Sequence, residues 1–278
     1  MNITIPKFPL DKLIEAFLDM LTTNFAFITK ALSKITGNAI DFIVDGLMFF
    51  PPLLLILVLT GLGWWLAGRK IGIMALVGLT LLWNLRLWLP TIETVTLVIL
   101  ATFAAVALGL PLGILAALFP RFKKVIMPIL DFMQTMPAFV YLIPAIPFFG
   151  LGPVSAIFAT VIFAMPPAIR LTILGIIQVP EELIEAADAF GCNRKQKLVK
   201  IQLPLAIPTI MAGINQTIML ALSMVVIAAM IGAGGLGGEV WKAIQRLQPG
   251  MGFEAGIAIV ILAMLLDRIT QKIGQKYK

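Results

Sequence analysis

The 278-residue chain has no histidine and a single cysteine, Cys192. That excludes a disulfide framework and leaves too few soft ligands for a zinc or iron centre. Charge is also scarce, at 13% of residues against 60% hydrophobic. A soluble domain of this length has no interior large enough to hide so much apolar surface, so lipid is the solvent for most of it. No G-x-x-x-x-G-K-S/T loop occurs, which excludes ATP hydrolysis by that route. Residues 1–10 lack a basic region followed by an apolar core and a small-residue cleavage site, so no cleaved signal is expected.

What charge there is sums to +7, but the Lys and Arg residues lie in short runs between apolar stretches instead of along one amphipathic face. They read as topology signals and not as a nucleic-acid surface. Between Asp11 and Ile35 apolar residues recur at steps of three and four, from Ile14, Phe17 and Leu18 to Leu32 and Ile35, opposite Lys12, Glu15, Asp19 and Lys30. This is the pattern of an amphipathic helix, continued past an expected break at Gly37 and Asn38, and residues 1–46 are expected to lie flat on the outer membrane surface.

Seven apolar segments of about 20 residues follow, the length a bilayer core demands. They cover roughly 47–67, 71–89, 91–119, 126–149, 154–177, 205–231 and 253–273. The first two form a peripheral pair within 47–89 and the rest a core within 90–278, giving an all-α polytopic transmembrane helical bundle. Most basic residues sit at Arg69 and Lys70, at Arg121, Lys123 and Lys124, between Arg194 and Lys200, and in the tail from Arg268. The positive-inside rule places these four regions in the cytoplasm, with the amino terminus outside and the carboxyl terminus inside. Trp64 and Trp65 fall at the expected inner boundary, and Trp83, Trp88 and Trp241 near the outer one.

The acids of the spans, Glu93, Asp131, Glu254 and Asp267, all fall within a turn or two of a span end, and Arg86, Arg170 and Arg268 are close enough to a boundary to snorkel. With no ionisable relay at depth, proton-coupled transport is disfavoured. Sodium coupling through broken helices stays open as a weaker alternative. Gly232, Gly234 and Gly237 satisfy G-x-G-x-x-G, but they follow an apolar span and not a strand, and no acid is placed to take a ribose. A flexible turn ending the sixth span is expected there.

The longest cytoplasmic connection, 178–204, is specific in its detail. Pro180 with Glu181 and Glu182 starts a helix well, since proline needs no amide partner at the first position and the acids face the positive end of the dipole. Leu183, Ile184, Ala187 and Phe190 make its apolar flank. Gly191 suits a left-handed cap, and a basic stretch leads to Ile201, Leu203 and Pro204. A short helix, a sharp corner and a second short helix are expected.

Glu185, Ala186 and Ala187, then Gly191, then Ile201, Leu203 and Pro204 resemble the EAA loop of the inner-membrane subunits of binding-protein-dependent ABC importers. Three further stretches, Asp131 to Pro144 (DFMQTMPAFVYLIP), Phe163 to Arg170 (FAMPPAIR), and Gly213 to Gln216 with Leu222 to Met224, look like the permeases for glycine betaine and proline betaine. The resemblance implies a MetI-like type I importer fold and a function in osmoprotection. It implies a homodimer with cytoplasmic ABC ATPase subunits that carry the ATP and magnesium, and an extracellular substrate-binding protein. The chain itself is then no enzyme and holds no cofactor or metal. In that family the EAA loop is the coupling helix, so the seven anchor residues are expected to contact the ATPase. Choline, carnitine or an amino acid are the alternative cargoes within the class.

For the passage, prolines 128, 137, 144, 147, 153, 166 and 167 crowd the fourth and fifth spans, where each is expected to kink or break the helix. Gln134, Pro137, Tyr141, Asn215, Gln216 and Ser223 are the candidate wall. Phe139, Tyr141, Phe148 and Phe149 offer ring faces to a quaternary ammonium. Gly109 and Gly113 form a small-xxx-small pattern for close helix contact, within one copy or between two.

Overall fold

The computed structural model describes residues 9–275. The expectation for residues 1–10, and the last three residues of the basic tail, therefore fall largely outside the described residues. Helix follows helix, with no strand among the described residues. The leader is α1 (Leu10–Asn24) and α2 (Ala26–Met48), followed by a hairpin of α3 (Pro52–Ala67) and α4 (Arg69–Asn84). The core comprises α5 (Trp88–Leu118), α6 (Pro120–Thr135), a 3-10 turn at Ala138–Tyr141, α7 (Leu142–Phe149) and α8 (Pro153–Ile177). The connection at 178–204 holds α9 (Glu181–Ala189) and α10 (Arg194–Lys197), and α11 (Leu203–Ala228), α12 (Gly235–Gln245) and α13 (Pro249–Gln275) complete the chain.

Four helices are individually long and apolar enough to cross a membrane: α5, α8, the continuous 38-residue helix Arg194–Ile231, and α13. The expected fourth span is instead a broken pair, α6 and the segment Ala138–Phe149, bent by 111°. The first two expected spans are helices of 16 residues, each about 24 Å long and so shorter than a bilayer core of about 30 Å. They pack together as a hairpin against α5 and α13 through Leu55, Ile56, Leu79, Leu82 and Leu262.

Small residues let α5, α8 and α11 approach closely, as helices must where lipid supplies no hydrophobic drive between them. Ala101, Ala105, Ala156, Ala159, Ala164, Ala221 and Ala228 are all buried. A Cβ on Gly113 would stand 2.6 Å from Thr172 Cβ and 2.9 Å from the Ile169 carbonyl oxygen. The Gly109 and Gly113 contact is thus made within the chain, α5 against α8. Five buried or part-buried hydroxyls bond the preceding turn: Thr91, Thr94, Thr172, Thr217 and Thr270 each donate to the carbonyl four residues back, whereas the buried hydroxyls of Thr60, Thr96, Thr102 and Thr160 have no partner among the described residues.

Four local expectations are corrected. The leader breaks at Phe25, and Gly37 and Asn38 lie inside the unbroken α2. Gly37 faces Val154 of α8 and Ile40 is buried in the main core, so packing carries the helix through two poor helix formers. Trp88 is 6% exposed and belongs to the core under the hairpin, not to an interface. Of the prolines, only Pro137 separates helices. Pro128, Pro147, Pro166 and Pro167 stay inside theirs, and Pro144 and Pro153 sit in first turns, where no amide donor is needed. The fourth is an addition: the expected glycine turn does end the sixth span, with Gly232 at φ +86° and Gly234 at φ +78°, but it leads into a helix that was not expected, α12, from Gly235.

Candidate functional site

The connection at 178–204 folds as an elbow. Pro180 caps α9, and Glu181 and Glu182 occupy its first turn. At its far end Gly191 has φ +73°, its amide bonds the Asp188 carbonyl at 2.9 Å, and the Cys192 amide bonds the Ala187 carbonyl at 2.9 Å. These paired bonds make a Schellman cap, which calls for glycine at the left-handed position. Asn193 then opens α10 with a reciprocal capping box to Gln196, satisfying two orphan amides at once. Across the corner Lys197 Nζ meets Asp188 Oδ1 at 2.6 Å, fixing the second arm against the first.

The second arm differs from expectation. It does not end at Pro204 but continues through a π-turn, Leu198–Gln202, into α11. Pro204 has no amide to donate and its ring crowds the turn before it, and a wider turn is one way a helix absorbs such a residue. The elbow is thereby joined without a loop to a core helix, and through Gln178 it adjoins the end of α8.

Of the seven EAA-like residues, Glu185 and Ala186 are exposed, Ala187 is buried at 4%, Gly191 forms the corner, Ile201 and Leu203 are half-buried at the start of the long helix, and Pro204 is exposed. Phe190 stands 88% exposed beside them. Between the elbow and the junction of α5 with α6 lies a cavity of about 930 Å³ lined by Leu118, Phe119, Arg121, Ile184, Arg194 and Lys195 among others. Arg121 lines that cavity beside Arg194 and Lys195, and near the end of α13 Gly274 packs on Met211 in the elbow-side half of α11.

The structure does not gather the six candidate wall residues into one site. Gln134, Gln216 and Ser223 expose polar groups, although the Ser223 hydroxyl donates to the Met219 carbonyl at 3.1 Å. Tyr141 is buried, and its hydroxyl donates to the Met133 carbonyl, closing the bend beyond Pro137. Asn215 donates to Asp267 Oδ1 at 2.8 Å, tying α11 to α13. The aromatic rings pair with α8 instead of forming a cage: Tyr141 meets Phe163 edge-on at 5.6 Å, and Phe149 stacks on Phe158 at 3.8 Å.

Residues 109–278 match the profile of the family described as binding-protein-dependent transport system inner membrane component. The chain belongs to this family. The permease is 50% identical over 274 residues to the glycine betaine transport system permease protein of Bacillus subtilis strain 168, covering 99% of this chain and 97% of that one. It is 50% identical over 278 residues to the glycine betaine/carnitine transport permease protein of Listeria monocytogenes, covering 99% and 98%. To the glycine betaine/proline betaine transport system permease protein of Escherichia coli K12 it is 46% identical over 271 residues, 96% of this chain and 75% of that one. Among solved structures, an inward-facing form of the MetNI methionine ABC transporter matches with a TM-score of 0.64 at 22% identity, covering 69% of this chain and 96% of that one. At that identity the likeness shows the fold, which is the type I importer permease fold.

Several residues that shape the permease were not singled out as site residues from the sequence. Glu93 Oε2 accepts the Gly235 amide and Thr94 Oγ1 accepts the Leu236 amide, each at 2.8 Å. The first amides of α12 are therefore capped from α5, and the glycine turn that mimics a phosphate loop already holds a carboxylate of its own chain. Asp267 takes amide donors from both Asn215 and Gln271, and Asp131 pairs with Arg170 of α8. The signal for these lay in acids near span ends, but a linear reading does not pair them.

Proposed function

We propose that this permease passes a quaternary-amine compatible solute, glycine betaine or proline betaine, across the cell membrane as the homodimeric membrane subunit of an ATP-driven importer. The observation that carries the substrate is the 50% identity, across nearly the whole chain, to a glycine betaine permease. The ATP is hydrolysed by separate cytoplasmic subunits that dock on the elbow, with Glu185, Ala186 and Gly191 at its exposed surface and Ala187, Ile201, Leu203 and Pro204 shaping it from within and at its junction with α11. An extracellular binding protein delivers the ligand at the opposite end, where the leader lies on the membrane surface.

The geometry of the elbow supports alternating access. α9 is held to the start of α10 by the glycine cap and the Asp188–Lys197 pair, and the second arm is one helix with α11. Closure of two ATPases beneath the elbows moves α8 and α11 together, because a rigid joint transmits displacement that a flexible loop would absorb. High affinity belongs to the binding protein, since a passage must release what it admits.

Uptake of labelled glycine betaine in osmotically stressed cells lacking their own betaine transporters tests the reading. Expression of the permease with its ATPase and binding protein restores uptake, and unlabelled proline betaine competes. No restored uptake of labelled glycine betaine, in cells where labelled choline or a labelled amino acid is taken up through the same three components, refutes the substrate. Transport by the permease alone in liposomes, driven by an ion gradient, refutes the mechanism.

A further inference from the structure

α6 divides its circumference three ways. Ile126 and Leu130 are buried with Phe122 and Met133 against α5 and α8. Val125, Ile129 and Phe132, between 52% and 66% exposed, form an apolar stripe suited to lipid. Lys124, Pro128, Asp131, Gln134 and Thr135 are also exposed, and at 100° per residue they fall on the remaining arc, about a third of the helix.

A helix lying flat on the membrane surface would carry such an arc toward water, but α6 climbs into the bundle. Leu130 packs with Ile169, Asp131 pairs with Arg170, and the Met133 carbonyl takes the hydroxyl of Tyr141, whose ring meets Phe163. Phe163 precedes the end of α8 at Ile177 by 14 residues, about 21 Å of helix. Arg170, and with it Asp131, is seven residues or about 10 Å from that end, and Gln134 and Thr135 follow Asp131 deeper, where polar groups persist only against protein or water. Asp131 is nonetheless 63% exposed at its side chain, and Arg170 keeps a buried Nε–H with no partner.

We propose that this arc of α6, together with Arg170, walls the aqueous passage in the half of the bundle nearer the elbow. The proposal rests on the reading of the chain as a betaine permease and deepens it by naming the surface and the solute chemistry it suits. The Asp131–Arg170 pair makes its part of the wall polar without net charge, and Lys124, at the arc's elbow end, is the one further charged residue among those on the arc. A zwitterion passing it finds the exposed Asp131 carboxylate for its ammonium end, while the Arg170 Nε–H stays buried behind the wall. Asp131 is already paired, so no lone carboxylate is present to hold the solute's ammonium end, as release requires.

Cysteine labelling tests this in the full transporter, assembled with its ATPase in inside-out vesicles. Gln134→Cys, Thr135→Cys, Phe132→Cys and Ile129→Cys are each exposed to a charged methanethiosulfonate, with Cys192 retained and each thiol read by peptide mass spectrometry. Pro128→Cys replaces either arc variant that fails to co-purify with the ATPase. Thiols on the arc react at least about tenfold faster than those at 132 and 129, because only the thiolate reacts and lipid suppresses its formation. Equal, slow reaction at all positions overturns the proposal, as does a spontaneous disulfide joining two copies at 134 or 135, which would make the arc a subunit interface. Betaine uptake by the unsubstituted transporter is scored separately, so a wrong substrate leaves the labelling pattern interpretable.

Discussion

The Glu93 carboxylate accepts the backbone amide of Gly235 at 2.8 Å, joining two residues 142 apart in sequence at the end of the bundle away from the elbow. The bond seats α12 on α5. Hydrogen bonds to charged groups contribute about 1.5 to 3 kcal/mol, so Glu93→Ala lowers the melting temperature of the purified permease while Glu93→Gln retains part of the loss. Gly235→Ala is worse, because its φ is +66° and its Cβ would meet Thr94 Oγ1 at 2.5 Å. Thermal unfolding in detergent orders the three. Equal melting of Glu93→Ala and the parent would show that α12 is held by its apolar contacts alone.

Gly191 separates a conformational role from a packing one. Nothing lies within 4 Å of where its Cβ would stand, so Gly191→Ala bears only the left-handed backbone cost of about 1 to 2 kcal/mol, and it folds with reduced uptake. Gly191→Pro has neither the required φ nor the amide that bonds Asp188, and it abolishes uptake. Glu185→Lys abolishes it too, without any folding defect, since the side chain is exposed. In each case ligand capture by the binding protein stays intact. Normal uptake by both Gly191→Pro and Glu185→Lys removes the elbow from the mechanism.

The Asp188–Lys197 pair gives a finer test of the same joint. Asp188 is 55% exposed at its side chain but Lys197 only 19%, so Asp188→Lys sets a second ammonium beside a largely buried one and lowers the melting temperature as well. Uptake falls because the two arms are no longer braced. The double exchange Asp188→Lys with Lys197→Asp recovers it, and failure of that rescue assigns the effect to something other than the pair.

The elbow was legible because its determinants are local. A proline with two acids, a glycine eleven residues after the proline and a basic turn each act within a few residues of where they stand. The long apolar helices were legible from composition, since lipid imposes a length on them. The break after Thr135 was not, because six other prolines nearby looked equally able to make it. Only Pro137 has both a helix end before it and the Tyr141 hydroxyl to hold the bend. The continuity of α10 with α11 was missed for the converse reason: Pro204 reads as a stop, and the π-turn that admits it leaves no mark in the sequence. Pairings such as Asn215 with Asp267 depend on which helices are neighbours, which periodicity does not state.

The seam between α5 and α8 yields the last prediction, because the elbow's movement has to pass along it. Gly113 has no room for a methyl group, with Thr172 Cβ at 2.6 Å and the Ile169 carbonyl oxygen at 2.9 Å from the built Cβ. The nearest obstacles include backbone, which yields less readily than a flexible side chain, so Gly113→Ala overpacks the seam at a cost of about 1 to 3 kcal/mol. Gly109→Ala, at 3.0 Å from the Ala168 methyl, is milder. Gly256→Ala on α13 meets nothing within 4 Å in its own chain, so its melting temperature matches the parent. Since α8 leads directly into the elbow, Gly113→Ala also lowers uptake in proportion to the shift it forces on α8. A Gly113→Ala permease that melts and transports like the parent would mean that the two helices slide apart freely, and that force from the elbow reaches the core through α11 alone.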